Sequence, residues 1–141
     1  MKRKGKVRML VTILVVVVIV IVMGLGGALI FTSGERREAK NLPIAVMDFK
    51  QLNDGTYTGE YEGGMYKWRA NKVQVAVSSG KVTDIKILEQ KVNQSPEFTD
   101  TLYNKVIKSQ SLQVDTISGA TLTSKAYLKS VENALKKAQK K

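Results

Sequence analysis

From Met9 to Phe31 the sequence runs for 23 residues without a charge, and Thr12 is the one residue among them that carries a hydroxyl. As an α-helix such a run reaches about 34 Å at 1.5 Å per residue, against ~30 Å for the hydrocarbon core of a bilayer. Val and Ile dominate it, and both are mediocre helix formers in water. In lipid, however, only a helix lets a lone segment satisfy its own backbone groups. The run is therefore set apart from any packed domain and reads as a single N-terminal transmembrane helix. Lys2, Arg3, Lys4, Lys6 and Arg8 precede it, while Arg36, Arg37 and Lys40 follow, partly offset by Glu35 and Glu38. This asymmetry predicts a cytoplasmic N-terminus and an extracytoplasmic remainder at the cell membrane. A cleaved secretory signal is the competing reading, with Gly24, Gly26, Gly27 and Ala28 offering a small-residue cleavage site. Signal cores span about 7–15 apolar residues, and this run continues through Leu29-Ile30-Phe31, which favours a retained anchor.

The chain has 141 residues, enough for one small domain besides the anchor. It holds no Cys and no His. Disulfides, thiol chemistry, Cys/His zinc sites and Ser-His or Cys-His nucleophile pairs are thereby excluded. The net charge of +11 invites a nucleic-acid reading, but five of the 23 basic residues sit in the arm before the anchor. The rest carries 18 bases against 12 acids, a net +6. Lys136, Lys137, Lys140 and Lys141 form a basic tail that either touches anionic head groups or stays solvated, so no nucleic-acid partner is expected.

The organisation expected is a basic arm at 1–8, the anchor at 9–31, a juxtamembrane linker at 32–53 and an extracytoplasmic domain at 54–141. In the linker, Ser33-Gly34 is expected to break the membrane helix, Glu35 to Lys40 to form a short exposed extension, and Ile44, Val46, Phe49 and Leu52 to dock on the domain. Strand-like sequence runs from Thr56 to Glu60. Gly63-Gly64 is turn material, and Tyr66, Trp68 and Ala70 recur at period two. Val73, Val75 and Val77 alternate with polar residues, Ser79-Gly80 makes a short turn, and Ile85 and Ile87 share one face of the next strand, a β-hairpin pattern. Ser95-Pro96-Glu97 reads as a helix start, with Ser as cap and Pro at the first helical position. Phe98, Leu102, Tyr103, Val106 and Ile107 give that helix its apolar stripe. Tyr127, Leu128, Val131, Ala134, Leu135 and Ala138 give a second helix its own. Hairpins followed by helices predict an α+β domain, a small antiparallel sheet with helices packed on one face.

Ahead of that last helix stands Asp115-Thr116-Ile117-Ser118-Gly119-Ala120-Thr121-Leu122-Thr123-Ser124. Ser118, Gly119 and Ala120 are small enough to let the backbone turn tightly and a bulky ligand come near. Ser118, Thr121, Thr123 and Ser124 supply four hydroxyls, and a helix N-terminus favours an anion. Two readings follow. In one, the cluster is a loop whose hydroxyls cap the helix, with Asp115 as a turn residue. In the other, it holds a phosphate beside a threonine hydroxyl.

The string Asp115-x-x-Ser118-Gly119-Ala120-Thr121-x-Thr123 resembles the flavinylation motif of the FMN-binding domain family, without departure from the pattern. Asp54-Gly55-Thr56-Tyr57-Thr58-Gly59-Glu60-Tyr61 is similar to the first strand of such domains, and Val73 to Ile87 to a hairpin found in many members. That family includes subunits of the sodium-translocating NADH:quinone reductase and of the related Rnf electron-transfer complex. The resemblance implies covalent FMN on Thr123 through a phosphoester, installed by a flavin transferase using FAD and a divalent metal. It also implies Ser118, Gly119, Ala120 and Thr121 around the phosphate, and Asp115 shaping the turn or engaging the transferase. A membrane reductase or another redox protein would be the electron donor. Nothing resembles a nicotinamide or quinone site, so the chain reads as an electron carrier rather than an enzyme, with no metal site of its own. The isoalloxazine ring needs an apolar or aromatic platform, for which Tyr57, Tyr61, Tyr66, Trp68 and Tyr127 are available. The alternatives are a domain that binds or senses FMN without a bond, and a structural or adhesive ectodomain without cofactor.

Overall fold

A computed structural model describes residues 2–140, and the chain divides into two units, Met1–Gly34 and Glu35–Lys141. Met1 of the predicted arm and Lys141 of the basic tail lie outside the described residues, as do the side chains of Lys2 and Phe31.

Helix α1 spans Lys2–Lys40, and by length and composition it is able to cross a membrane. Its large apolar side chains from Val7 to Ile30 lie exposed. The hydroxyl of Thr12 donates to the Arg8 carbonyl at 2.9 Å, so the one polar side chain of the run is satisfied within the helix. The expected break at Ser33-Gly34 does not occur. Thr32 and Ser33 turn their hydroxyls back onto the Ala28 and Ile30 carbonyls at 3.1 and 2.8 Å, and the helix continues through them. Nor is the stretch beyond wholly exposed, because Glu35 and Ala39 are buried in the second unit.

In that unit, β1 (Gly55–Tyr61), β2 (Asn71–Ser78) and β3 (Lys81–Gln90) form an antiparallel sheet in the order β1-β2-β3. Helices α2 (Pro96–Ser109) and α3 (Thr121–Ala138) pack on one face, α2 over β3 and α3 over β1 and β2. The α+β architecture is that expected from the sequence. Ser79 and Gly80 both take positive φ, 53° and 71°, the two-residue turn whose twist suits a tight hairpin. The carboxylate of Asp54 accepts from the Ser79 and Gly80 amides, both at 2.9 Å, and lashes that turn to the head of β1. Those two amides hold Asp54 below the usual carboxylate range.

Val73, Val75 and Val77 point into the core. On β3 the inward residues Val82 and Ile85 are three apart, which simple alternation forbids. Val77 pairs with Val82 and Ala76 with Asp84, so Thr83 is an extra residue that restores the phase. Opposite Val73, Gly59 is buried beneath α3; a Cβ there would overlap the Ser130 carbonyl oxygen and the Ala134 amide nitrogen.

Between Tyr61 and Asn71 the expected period-two run of Tyr66, Trp68 and Ala70 is a chain of turns instead. Gly63, Gly64 and Lys67 take φ of 95°, 79° and 57°, incompatible with a strand, and Tyr66 and Trp68 bring their rings 5.0 Å apart. The linker docks through Phe49 and Leu52, which are buried, and through Ile44; Val46 is 85% exposed and does not take part. Polar side chains of α3 fasten the rest: Lys125 Nζ donates to the Lys40 carbonyl at 2.6 Å and Lys129 Nζ to that of Pro43 at 3.1 Å. The basic tail is also partly engaged. Lys136 pairs with Glu132 at 2.7 Å and Lys137 donates to the Thr58 carbonyl at 2.6 Å.

Candidate functional site

The segment between α2 and α3 turns at Ile117-Ser118-Gly119-Ala120, closed by the Ala120 amide donating to the Ile117 carbonyl at 2.9 Å. Gly119 occupies the third position of the turn with φ of 77°, a conformation L side chains adopt at a cost. A Cβ there would meet nothing, so conformation rather than space demands the glycine.

Ser124, fully buried, ties the turn to the helix. Its hydroxyl accepts from the Ile117 amide at 3.1 Å and donates to the Ala120 carbonyl at 2.8 Å. Lys105, reaching from α2, donates to the Asp115 carbonyl at 3.2 Å. Neither residue was singled out as part of the site from sequence. Ser124 reads there as one more hydroxyl, and Lys105 lies ten positions upstream on another element.

The six residues picked from sequence fall into three groups. Asp115 is exposed, and its backbone alone is engaged by Lys105. Ser118, Gly119 and Ala120 make the turn, with Ser118 and Gly119 exposed. Thr121 and Thr123 are the first and third residues of α3. The Thr121 hydroxyl stands 3.4 Å from that of Thr116. Thr123 is half-buried, and its hydroxyl makes no hydrogen bond among the described residues.

The hydroxyls do not cap the helix. Ala120 stands at the N-cap and no side chain accepts from the first turn. The first backbone hydrogen bond of α3 runs from the Ser124 amide to the Ala120 carbonyl at 2.9 Å, so the amides of residues 121–123 lack a protein acceptor among the described residues. The first turn holds no acid. A helix end with free amides and partial positive charge, and no carboxylate in its first turn, suits a phosphate dianion. The residues present are therefore chemically suited to a phosphate group such as the one FMN carries.

Clefts lie away from the loop, among them one of about 570 Å³ lined by Glu38, Tyr61, Met65 and Asn133. Another of about 400 Å³ is lined by Tyr61, Ala70, Asn71 and Gln90, and one of about 370 Å³ between β3 and α2 by Ile85, Ile87, Pro96 and Tyr103. Gln90 borders these last two, and the Tyr127 phenol, one turn beyond Thr123, lies 2.6 Å from Gln90 Oε1. Tyr127 is 2% exposed and packs at 5.9 Å from Phe98 and 6.4 Å from Tyr103, so it is a core residue and not an open ring platform. Burial pushes its phenol up to about 12. Tyr57 and Tyr61 are half-buried, which leaves Trp68, 40% exposed, as the most open ring of the five.

Sheet, helices and loop together define a small α+β module with an anion-suited turn at the head of its last helix. Residues 67–136, the greater part of the folded unit, match the family model of the FMN-binding domain. Among solved structures, a crystal structure of the CPE2226 protein from Clostridium perfringens is similar, at 27% identity over 62% of this chain and 88% of that one, with a TM-score of 0.49. No curated protein matches the chain.

Proposed function

We propose that the chain is a membrane-anchored electron carrier whose FMN is held through a phosphoester to Thr123. The supporting observation is the state of that hydroxyl. It sits in the first turn of a helix that no side chain caps, without a hydrogen bond among the described residues, while its neighbour Ser124 is fully engaged. The chain has no His or Cys to deprotonate it, so an external transferase has to supply the base. The exposed Ser118-Gly119 turn keeps the approach narrow-shouldered for such an enzyme. After attachment, the free amides at the head of α3 stabilise the phosphate charge, Thr121 adds a hydroxyl, and Asp115 stays clear because two adjacent anions repel. Bound flavin supplies the redox chemistry; the protein contributes placement.

The apolar helix α1, long enough to cross a membrane, supports a donor or acceptor resident in that membrane. A tether would keep the flavin from being lost into an extracytoplasmic compartment.

The test is co-expression with a flavin transferase, followed by denaturation and in-gel fluorescence. Wild type and Thr121→Ala are expected to stay yellow and fluorescent, and Thr123→Ala to lose both while remaining folded. Flavin retained on Thr123→Ala would sink the assignment. Flavin released by acid precipitation from wild type would favour non-covalent binding.

A further inference from the structure

We propose that the Met65–Trp68 turn beds in the lipid interface beside the anchor, so that the FMN-binding module is held against the membrane at two places. The proposal rests on the reading of α1 as a retained membrane helix. The turn presents Met65, 58% exposed, and Trp68, 40% exposed, with Tyr66 stacked on Trp68 and Lys67 exposed between them. Trp and Tyr flanked by cations are the residue types that settle at the level of lipid head groups, where an amphipathic ring is half wet and half apolar.

The turn is rigidly prepared for this. Gly63 and Gly64 take positive φ, the Lys67 amide donates to the Gly64 carbonyl at 3.0 Å, and the Ala70 amide to the Lys67 carbonyl at 3.4 Å. Its position is fixed by the residues that leave the membrane. Arg69 pairs with the buried Glu35, and the Met65 amide donates to Glu38 Oε2 at 3.1 Å. Glu35 follows the last residue of the apolar run by four positions, a rise of about 6 Å at 1.5 Å per residue in the helix that runs through them. The turn is thus tied to residues that cannot stray far from the lipid boundary, where the interfacial layer is roughly 5–8 Å deep on each side. Arg36, Arg37 and Lys40 are exposed on the same stretch and suit anionic head groups.

Trp68 is the only tryptophan of the chain, so it reports its own surroundings. The full chain is made without a flavin transferase, so that no flavin absorbs its emission, and reconstituted into phosphatidylcholine/phosphatidylglycerol vesicles with or without a headgroup spin-labelled lipid. Expected are a loss of Trp68 emission in the labelled vesicles and weak quenching by aqueous acrylamide, with both reversed in Met65→Glu, a change at an exposed position. Emission untouched by the labelled lipid, whether open to acrylamide or shielded by a second copy, overturns the proposal while resistance to alkaline carbonate keeps the anchor. Release by carbonate overturns the anchor and the docking together.

Discussion

Adjacent residues of one type do opposite work at the head of α3. Ser124 spends its hydroxyl on Ile117 and Ala120, whereas the Thr123 hydroxyl, one position earlier, makes no hydrogen bond among the described residues. Sequence presents both as members of a hydroxyl cluster; the difference arises because a helix rotates successive side chains by about 100°, turning one onto the preceding loop. Ser124→Ala is therefore expected to loosen the loop by about 1–2 kcal/mol, the scale of an unsatisfied buried amide, and to slow flavinylation without abolishing it, as amide exchange at Ile117 and in-gel fluorescence would show. Gly59 carries the opposite lesson. In the sequence it is a glycine in a strand, and nothing there announces that α3 crosses it. Gly59→Ala would force helix and sheet apart, because Ser130 and Ala134 backbone atoms occupy the space of a Cβ. A destabilisation of about 3 kcal/mol, at the upper end for overpacking, is expected in urea titration. Stability within error of wild type would contradict the close crossing.

Elements were legible where local chemistry decides them. Ser95 caps α2, accepting from the Phe98 amide at 3.3 Å, with Pro96 next. Ser95→Ala is expected to lower stability by about 1 kcal/mol, seen as a lower urea midpoint at unchanged slope. The β2–β3 hairpin follows from Val alternation and from Ser79-Gly80. Legibility failed where a pattern competes with backbone geometry. Tyr66, Trp68 and Ala70 alternate like a strand, yet two glycines and Lys67 in positive φ turn the chain too sharply for pairing. Ser33-Gly34 looks like a helix stop, but a hydroxyl returned to the preceding turn and a glycine without a competing cap leave the helix running to Lys40. The phosphate-suited turn was legible as composition. Its uncapped geometry was not, because capping by four nearby hydroxyls is the usual outcome.

At the scale of the folded unit, the ends of the chain segment are joined to each other. The Asn53 amide donates to the Ala138 carbonyl at 2.7 Å, and the Lys140 amide to that of Gln51 at 2.8 Å, which shuts the linker against the end of α3. Further along the same helix, Glu132 is 1% exposed and accepts from the Ala45 amide at 3.0 Å while pairing with Lys129 and Lys136. Burial by itself would raise its carboxyl, but Lys136, the Ala45 amide and Lys129 outweigh burial and hold it below its ordinary value. Asp54 is lowered as well, by the hairpin amides. Both groups thus bind a proton less readily in the folded protein than in the unfolded chain. Their stabilisation is complete above the unfolded carboxylate range near pH ~4 and is lost as pH falls through the lower folded values. Urea midpoints should accordingly hold from pH 7 to 5 and drop between 4 and 2. Glu132→Gln removes one of the two titrations, so it should be about 2 kcal/mol less stable at pH 7 yet lose less on acidification than wild type. Equal acid sensitivity in the two proteins would mean that Glu132 does not carry the linkage. Since Glu132 and Lys129 fasten residues 43–45, the same variant should also free the linker, raising amide exchange at Ala45 before the sheet opens.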